Sequence, residues 1–130
     1  TLNGAPIRVT QIDDLGASLL GTGFPTDRSS EPNNNFRHFL NFMQHTQDVR
    51  RVGAAALDLC MVACGWLEGF WQPQLKTYDI AAGVVIVREA GGRVTDLHGG
   101  DEMFAHGEVC ASNGRVHAAM LEILNRGFNA

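Results

Sequence analysis

The sequence predicts an α/β domain, a mixed β-sheet layered with helices, on three observations. Short apolar stretches bounded by turn residues alternate with segments of helical period. The most apolar of those segments runs from Asp79 to Glu89 and ends at a glycine pair. No linker, internal repeat or low-complexity stretch divides the chain, so 1–130 reads as one domain. The 130 residues suffice for one core, and 45% apolar with 18% charged residues fits a globular class.

Taken in order, Asn3-Gly4 is a hairpin-turn dipeptide with only Thr1 and Leu2 before it, too little for a full partner strand. Residues 7–11 and 17–24 read as strands, with Asp13-Asp14 and Gly16 turning the chain between them. From Pro32 a helical stripe places Phe36, Phe39, Leu40 and Met43 together. A second helix follows Gly53 over 54–63 and stops at Gly65. Residues 66–72 form an aromatic-rich strand closed by Pro73. In the helix opened by Asp79, Ile80, Val84 and Val87 repeat at helical spacing while Val85 and Ile86 fill other faces. That helix is expected to be buried on most sides. Short strands at 93–96 and 108–111 follow, and Ser112-Asn113 caps a last helix carrying Val116, Met120, Ile123 and Leu124 on one face.

Charge and composition exclude several classes. A net charge of −4, with Arg50-Arg51 as the sole adjacent basic pair, gives no nucleic-acid footprint. No apolar run reaches membrane-spanning length, and no secretory signal opens the sequence. Cys60 and Cys64 lie four apart on one helix face, Cys110 stands alone, and none has zinc-ligand spacing; they read as small hydrophobes in a reducing compartment. His38, His45, His98, His106 and His117 form no ligand pattern and are expected on the surface or in loops. Gly21-Thr22-Gly23 lacks the third glycine of a dinucleotide fingerprint and is followed by Pro25, so it reads as a strand ending at a pocket rim, with no nucleotide cofactor.

Asp79 carries the chemical question. A carboxylate at the mouth of a buried helix needs a partner. It can cap the helix by accepting free N–H groups, or it can hold a hard cation such as Mg²⁺ beside phosphate oxygens. Spacing leaves both open.

Three ordered blocks bear on the choice. Tyr78-Asp79-Ile80-Ala81-Ala82-Gly83, continuing to Glu89-Ala90-Gly91-Gly92, resembles the second signature of the inositol monophosphatase family. Arg50-Arg51-Val52-Gly53-Ala54-Ala55-Ala56-Leu57-Asp58-Leu59-Cys60 and Leu2-Asn3-Gly4-Ala5-Pro6-Ile7-Arg8-Val9 are similar to two further segments of it. The resemblance covers nearly the whole chain. The first family signature, Asp-Pro-x-Asp-Gly-Thr, has no counterpart here. The chain therefore resembles the carboxy-terminal half of an αβαβα sandwich, with the amino-terminal catalytic half absent.

The resemblance implies a metal-dependent, lithium-sensitive type of phosphatase that hydrolyses a small phosphate monoester, inositol monophosphate or a related one. Asp79 would be its catalytic, metal-binding and substrate-approaching aspartate, with Mg²⁺ as cofactor. Gly53, Ala54 and Ala55 match a backbone segment lining the substrate site, where small side chains let N–H groups approach an anion. Their bland alternative is close helix packing. Gln72 matches a position where many relatives carry a glutamate that binds a sugar or inositol hydroxyl; the amide still donates and accepts. Glu89, nearly three turns from Asp79, reads as structural. With Gln72 and Tyr78 departing from the usual residues, histidinol-phosphate or sugar-phosphate hydrolysis is the alternative within the superfamily. A non-catalytic phosphatase-like binding module is the alternative outside it. A cytoplasmic homodimer acting on a small phosphorylated substrate, without nucleic acid or membrane, is the expected setting. With one carboxylate for the metal, this segment alone is expected to be inactive.

Overall fold

The computed structural model describes residues 1–24 and 35–126. A 3₁₀ turn at Leu15–Ala17 leads to β1 (Leu19–Thr22), α1 (Phe36–Met43), β2 (Asp48–Arg50), α2 (Ala55–Ala63) and β3 (Gly69–Gln72). Then follow α3 (Thr77–Glu89), β4 (Arg93–Thr95), α4 (Met103–His106), β5 (Val109–Ser112) and α5 (His117–Leu124). The strands form one mixed sheet in the order β2-β1-β3-β5-β4. β1 runs parallel to β2 and β3, and β5 runs antiparallel to β3 and β4.

The period of two along each strand sorts side chains between two cores. Phe70, Val109 and Ala111 face α2 and α3, joining Leu59, Val62, Ile80, Val84 and Val87. Leu20, Trp71 and Cys110 face α1 and α5, joining Phe42, Met120 and Ile123. The layered α/β expectation therefore holds. No helix of the described residues is long and apolar enough to cross a membrane.

Helix ends follow sequence chemistry. Gly91, at φ +94°, ends α3 and lets Gly92 N–H reach Val87 O at 2.9 Å. Asn113 Oδ1 accepts from the Arg115 and Val116 N–H groups and so shapes the turn before α5, whose own N-cap, Val116, has no side-chain cap; the expected Ser112-Asn113 cap falls one turn early. Asn3 and Gly4 make the expected tight turn, both at positive φ, closed by Leu2 and Ala5.

Several expectations need correction. Residues 7–11 join no strand of the sheet: Val9 N–H goes to Ala90 O, and Thr10 Oγ1 accepts from the Asn113 side chain. Alternation alone cannot say whether a partner strand exists. The strand expected over 17–24 shrinks to β1 because Ala17 belongs to the 3₁₀ turn, and the one over 66–72 shrinks to β3. In α1 the stripe is displaced. Phe42 is buried against Trp71, ring centroids 4.0 Å apart, whereas Leu40 is 61% exposed. The Pro32 start lies outside the described residues. Helix α3 is not buried on most sides: Ile80, Gly83, Val84 and Val87 are covered, but Tyr78 is 82% and Val85 58% exposed. Cys60 and Cys64 are only half-buried, while Cys110 is fully enclosed.

His117 is the sharpest correction, being fully buried rather than at the surface. Thr95 Oγ1 donates to Asp96 O, so it accepts from His117 Nε2–H at 2.9 Å. Ser112 Oγ accepts from Gly114 N–H and donates to Nδ1 at 2.8 Å. Both ring nitrogens are satisfied in the neutral form, and burial lowers the pKa to about 4, with Arg93 adding to the effect.

Helices α2 and α3 meet across Gly83. A Cβ there would stand 2.5 Å from Leu59 Cδ1 and 2.7 Å from Leu59 Cβ. Alanine in place of glycine gains about 1 kcal/mol of helix propensity. Overpacking of a well-filled core costs about 1–3 kcal/mol. The Leu59 Cβ cannot rotate away, so the overlap wins, and Gly83→Ala is expected to lower the urea midpoint. An equal or higher midpoint would show that the helix pair has slack here.

Candidate functional site

A cleft of about 760 Å³ opens beyond the carboxyl ends of β1 and β3. In open α/β sheets this is where ligands bind, at the point where helices leave to opposite faces. Here α1 and α2 do so. Every residue expected at the site lines the one cleft: Gly53, Ala54, Ala55, Gln72 and Asp79. Thr22, Gly23, Phe24, Arg51, Ala56, Gln74, Leu75 and Tyr78 complete the wall. Gly23 thus sits at the rim expected of it.

Below the cleft a buried polar network fixes the strand ends. Asn35 Nδ2 donates to Thr22 Oγ1 at 2.6 Å and to Gly23 O at 2.9 Å, while Trp71 Nε1 donates to Asn35 Oδ1 at 2.7 Å. Thr22 Oγ1 in turn donates to Trp71 O. All members are satisfied, which makes the floor rigid. Gln72 lies directly against Gly23, where any side chain would overlap its amide. Gly23 is therefore a space requirement, unlike Gly53, which has open space around it but sits at φ +99°.

One wall of the cleft is the start of α2. Its N-cap, Ala54, is extended and offers no side-chain cap, so among the described residues the first N–H groups of the helix have no side-chain acceptor. Small residues at 53–56 leave that end accessible to an oxyanion. The bland reading of Gly53, Ala54 and Ala55 as close helix packing does not hold for Gly53 and Ala54, which are exposed.

Asp79 is the third residue of α3 rather than its opener. Its Oδ2 accepts the Lys76 N–H at 2.9 Å, reaching back over the helix start. The cap is real, but it engages one carboxylate oxygen, and the residue still lines the cleft. Among the described residues, Arg51 and Asp79 are the charged side chains of the lining. The adjacent arginines part ways: Arg50 pairs with Asp48 at 3.4 Å, and Arg51 lies over the Phe24 ring at 4.6 Å.

Sequence reasoning missed Asp58. It is 1% exposed, Oδ1 has no hydrogen-bond partner, and burial lifts its pKa to about 7. It lies under β1, where a Cβ on Gly21 would come within 2.6 Å of Oδ1. A charged residue in the first turn of a helix looks ordinary in sequence, and nothing marks its partner strand 37 residues earlier.

The model of the inositol monophosphatase family matches residues 1–127. Inositol-1-monophosphatase of Synechocystis is 44% identical over 124 residues, 95% of this chain and 43% of that protein. Nus factor SuhB of Pseudomonas aeruginosa is 40% identical, covering 92% of this chain and 45% of that one. Among solved structures, inositol monophosphatase from Anabaena superposes with a TM-score of 0.91 at 42% identity, over 94% of this chain and 48% of that one. The chain thus spans about half the length of the relatives it matches. Sequence blocks, sheet order and superposition agree, and the chain belongs to the inositol monophosphatase family.

Proposed function

We propose that this chain supplies one side of the active site of a Mg²⁺-dependent phosphomonoesterase acting on inositol monophosphate or a related small ester. The observation that carries this reading is the meeting, in one cleft, of the Asp79 carboxylate with the uncapped start of α2. Asp79 would hold the ion through the oxygen not used for Lys76, and one carboxylate fits one ligand of an octahedral set. When bound, such an ion polarises the phosphoryl group and lowers the pKa of attacking water. The N–H groups at 55–57 receive a phosphoryl oxygen, helped by the positive end of the helix dipole. Gln72, held against Gly23, orients a hydroxyl of the alcohol portion by donating or accepting. Histidinol phosphate and sugar phosphates present hydroxyl or amine groups to the same amide and are the alternative esters.

The remaining ligands and the water-orienting group would come from an amino-terminal half, packed where Leu57 and Val85 leave the outer surface of α2 and α3 apolar. This chain alone would then turn nothing over. The three unpaired cysteines suit a reducing cytoplasm, and the assembled protein would be a homodimer, as the resemblance implies. The second reading is a phosphatase-like module that binds without cleaving. It is favoured by relatives of comparable identity that bear the name Nus factor SuhB.

Phosphate release from inositol monophosphate, with and without Mg²⁺, is the test. It compares this chain with a protein whose amino-terminal half is restored from the Synechocystis relative. Mg²⁺-dependent release by the restored protein alone is the expected result. A folded restored protein with no release on any of the three ester classes would leave the binding module.

A further inference from the structure

Gln74 stands where glycine is expected. Its φ is +58°, in the left-handed region that a residue with a Cβ enters only at a cost. Among the described residues, Asn3 is the other non-glycine residue at positive φ, and its short amide tolerates that conformation in the turn with Gly4. Gly53, Gly65, Gly91, Gly99, Gly107 and Gly114 fill the remaining left-handed positions. Glutamine has neither exemption.

The backbone explains the conformation but not the side chain. Residues 73–76 carry the chain from β3 to α3. Pro73 fixes its own φ and lacks an N–H. The Leu75 N–H bonds Gly107 O, and a Cβ on Gly107 would overlap Leu75 O, so the two backbones pass in contact. The Lys76 N–H then bonds Asp79 Oδ2. The left-handed step at 74 joins these fixed contacts and brings the chain to the start of α3, where Asp79 lies. Glycine would make that step without strain.

Strained residues of this kind cluster at ligand sites, where something else offsets their cost. Gln74 is in such a place: it lines the cleft with Gln72, Tyr78 and Asp79. A primary amide offers two N–H donors and an acceptor oxygen and carries no charge. It suits a hydroxyl, which both donates and accepts, and cannot neutralise a second anionic group. Gln72 and Gln74, two residues apart, supply two such amides to one cleft. A pair of them matches neighbouring hydroxyls on one ring.

Resting on the phosphomonoesterase reading, we propose that Gln74 is a second specificity-determining residue of the cleft. Its amide hydrogen-bonds a ring hydroxyl beside the one met by Gln72. The alcohol portion that fits is therefore a cyclic polyol, and an ester without hydroxyls gains nothing from the residue.

Kinetics of the length-restored protein on inositol monophosphate and on phenyl phosphate, whose alcohol portion has no hydroxyl, test this. Gln74→Gly should raise KM for inositol monophosphate about three- to tenfold, the worth of one neutral hydrogen bond. Its kcat, and both constants for phenyl phosphate, should change by less than about twofold, as for a contact made equally in ground and transition states. Gln74→Asn keeps an amide and tolerates positive φ, so it should recover part of the KM. The urea midpoint of Gln74→Gly should equal or exceed the parent's, because the strain is gone.

An unchanged KM overturns the proposal, and a lowered midpoint beside it would make Gln74 a structural residue. An equal loss on both esters also overturns it, placing Gln74 at the phosphate. Calorimetric binding of the two esters reads the same preference without turnover. A parent that cleaves neither ester but binds inositol monophosphate through Gln74 sustains the polyol assignment and sinks the phosphatase reading. A parent that neither cleaves nor binds sinks both.

Discussion

Asp79→Asn in the length-restored protein is expected to cut Mg²⁺-dependent phosphate release by about a hundredfold or more, with little change in stability. Two roles of one carboxylate separate in this substitution. The metal contribution to a phosphoryl transition state is several kcal/mol, and each 1.36 kcal/mol is about tenfold in rate. Asparagine keeps a carbonyl oxygen that can still accept the Lys76 N–H, so the helix start survives. Asp79→Ala removes both roles and should add about 1 kcal/mol of destabilisation to the same loss of rate. Steady-state assays and urea unfolding of the two variants measure the partition. If Asp79→Asn retains full turnover, Asp79 is only a cap and the ion lies elsewhere. Should the restored protein bind inositol monophosphate equally well with and without Asp79, the module reading gains instead.

The elements legible in sequence were those whose neighbours in sequence are also their neighbours in space. Helix α3 announces itself through Ile80, Val84 and Val87 and through the glycine pair that ends it. The turn that leads into α5 is equally local, since Asn113 bonds residues two and three positions on. Strand β2 went unseen because Asp48, Val49 and Arg50 offer one buried side chain to a three-residue element. Its pairing is set by β1, some 29 residues earlier. The α1 stripe was misplaced for a related reason. Phe42 is chosen by Trp71 on a distant strand, and a helix rich in aromatics has several plausible faces. Of the cleft, spacing offered only Asp79 and the rim at Gly23; Gly53, Ala54, Ala55 and Gln72 came through resemblance. Arg51 and Phe24 entered only when the fold brought the end of β1 beside the residues before α2.

Two buried groups should give this protein a pH profile that hides its own components. Asp58 has a folded pKa of about 7 against 3.8 for an ordinary aspartate. Between those values the unfolded chain has lost a proton that the folded chain keeps, so stability falls as pH rises across the window. His117 has a folded pKa of about 4 against 6.5. Between those values the unfolded chain binds a proton that the folded chain refuses, so stability rises with pH. The windows overlap and the slopes oppose, which leaves these two groups' joint contribution nearly flat in mildly acidic solution.

Removing one partner exposes the other. Asp58→Asn keeps the shape under Gly21 and abolishes the titration, so the variant should become more stable from about pH 5 to about pH 8, by about 2 kcal/mol. Above about pH 7 it should also exceed the parent, because an ionised carboxylate with an unpartnered buried oxygen has been replaced by a neutral amide. His117→Gln should show the reverse slope, losing stability over the same range. Urea midpoints of parent and both variants at the two pH values decide the matter. Parallel profiles for the parent and Asp58→Asn would mean that Asp58 ionises without cost in the folded chain, reached by water that relieves its burial.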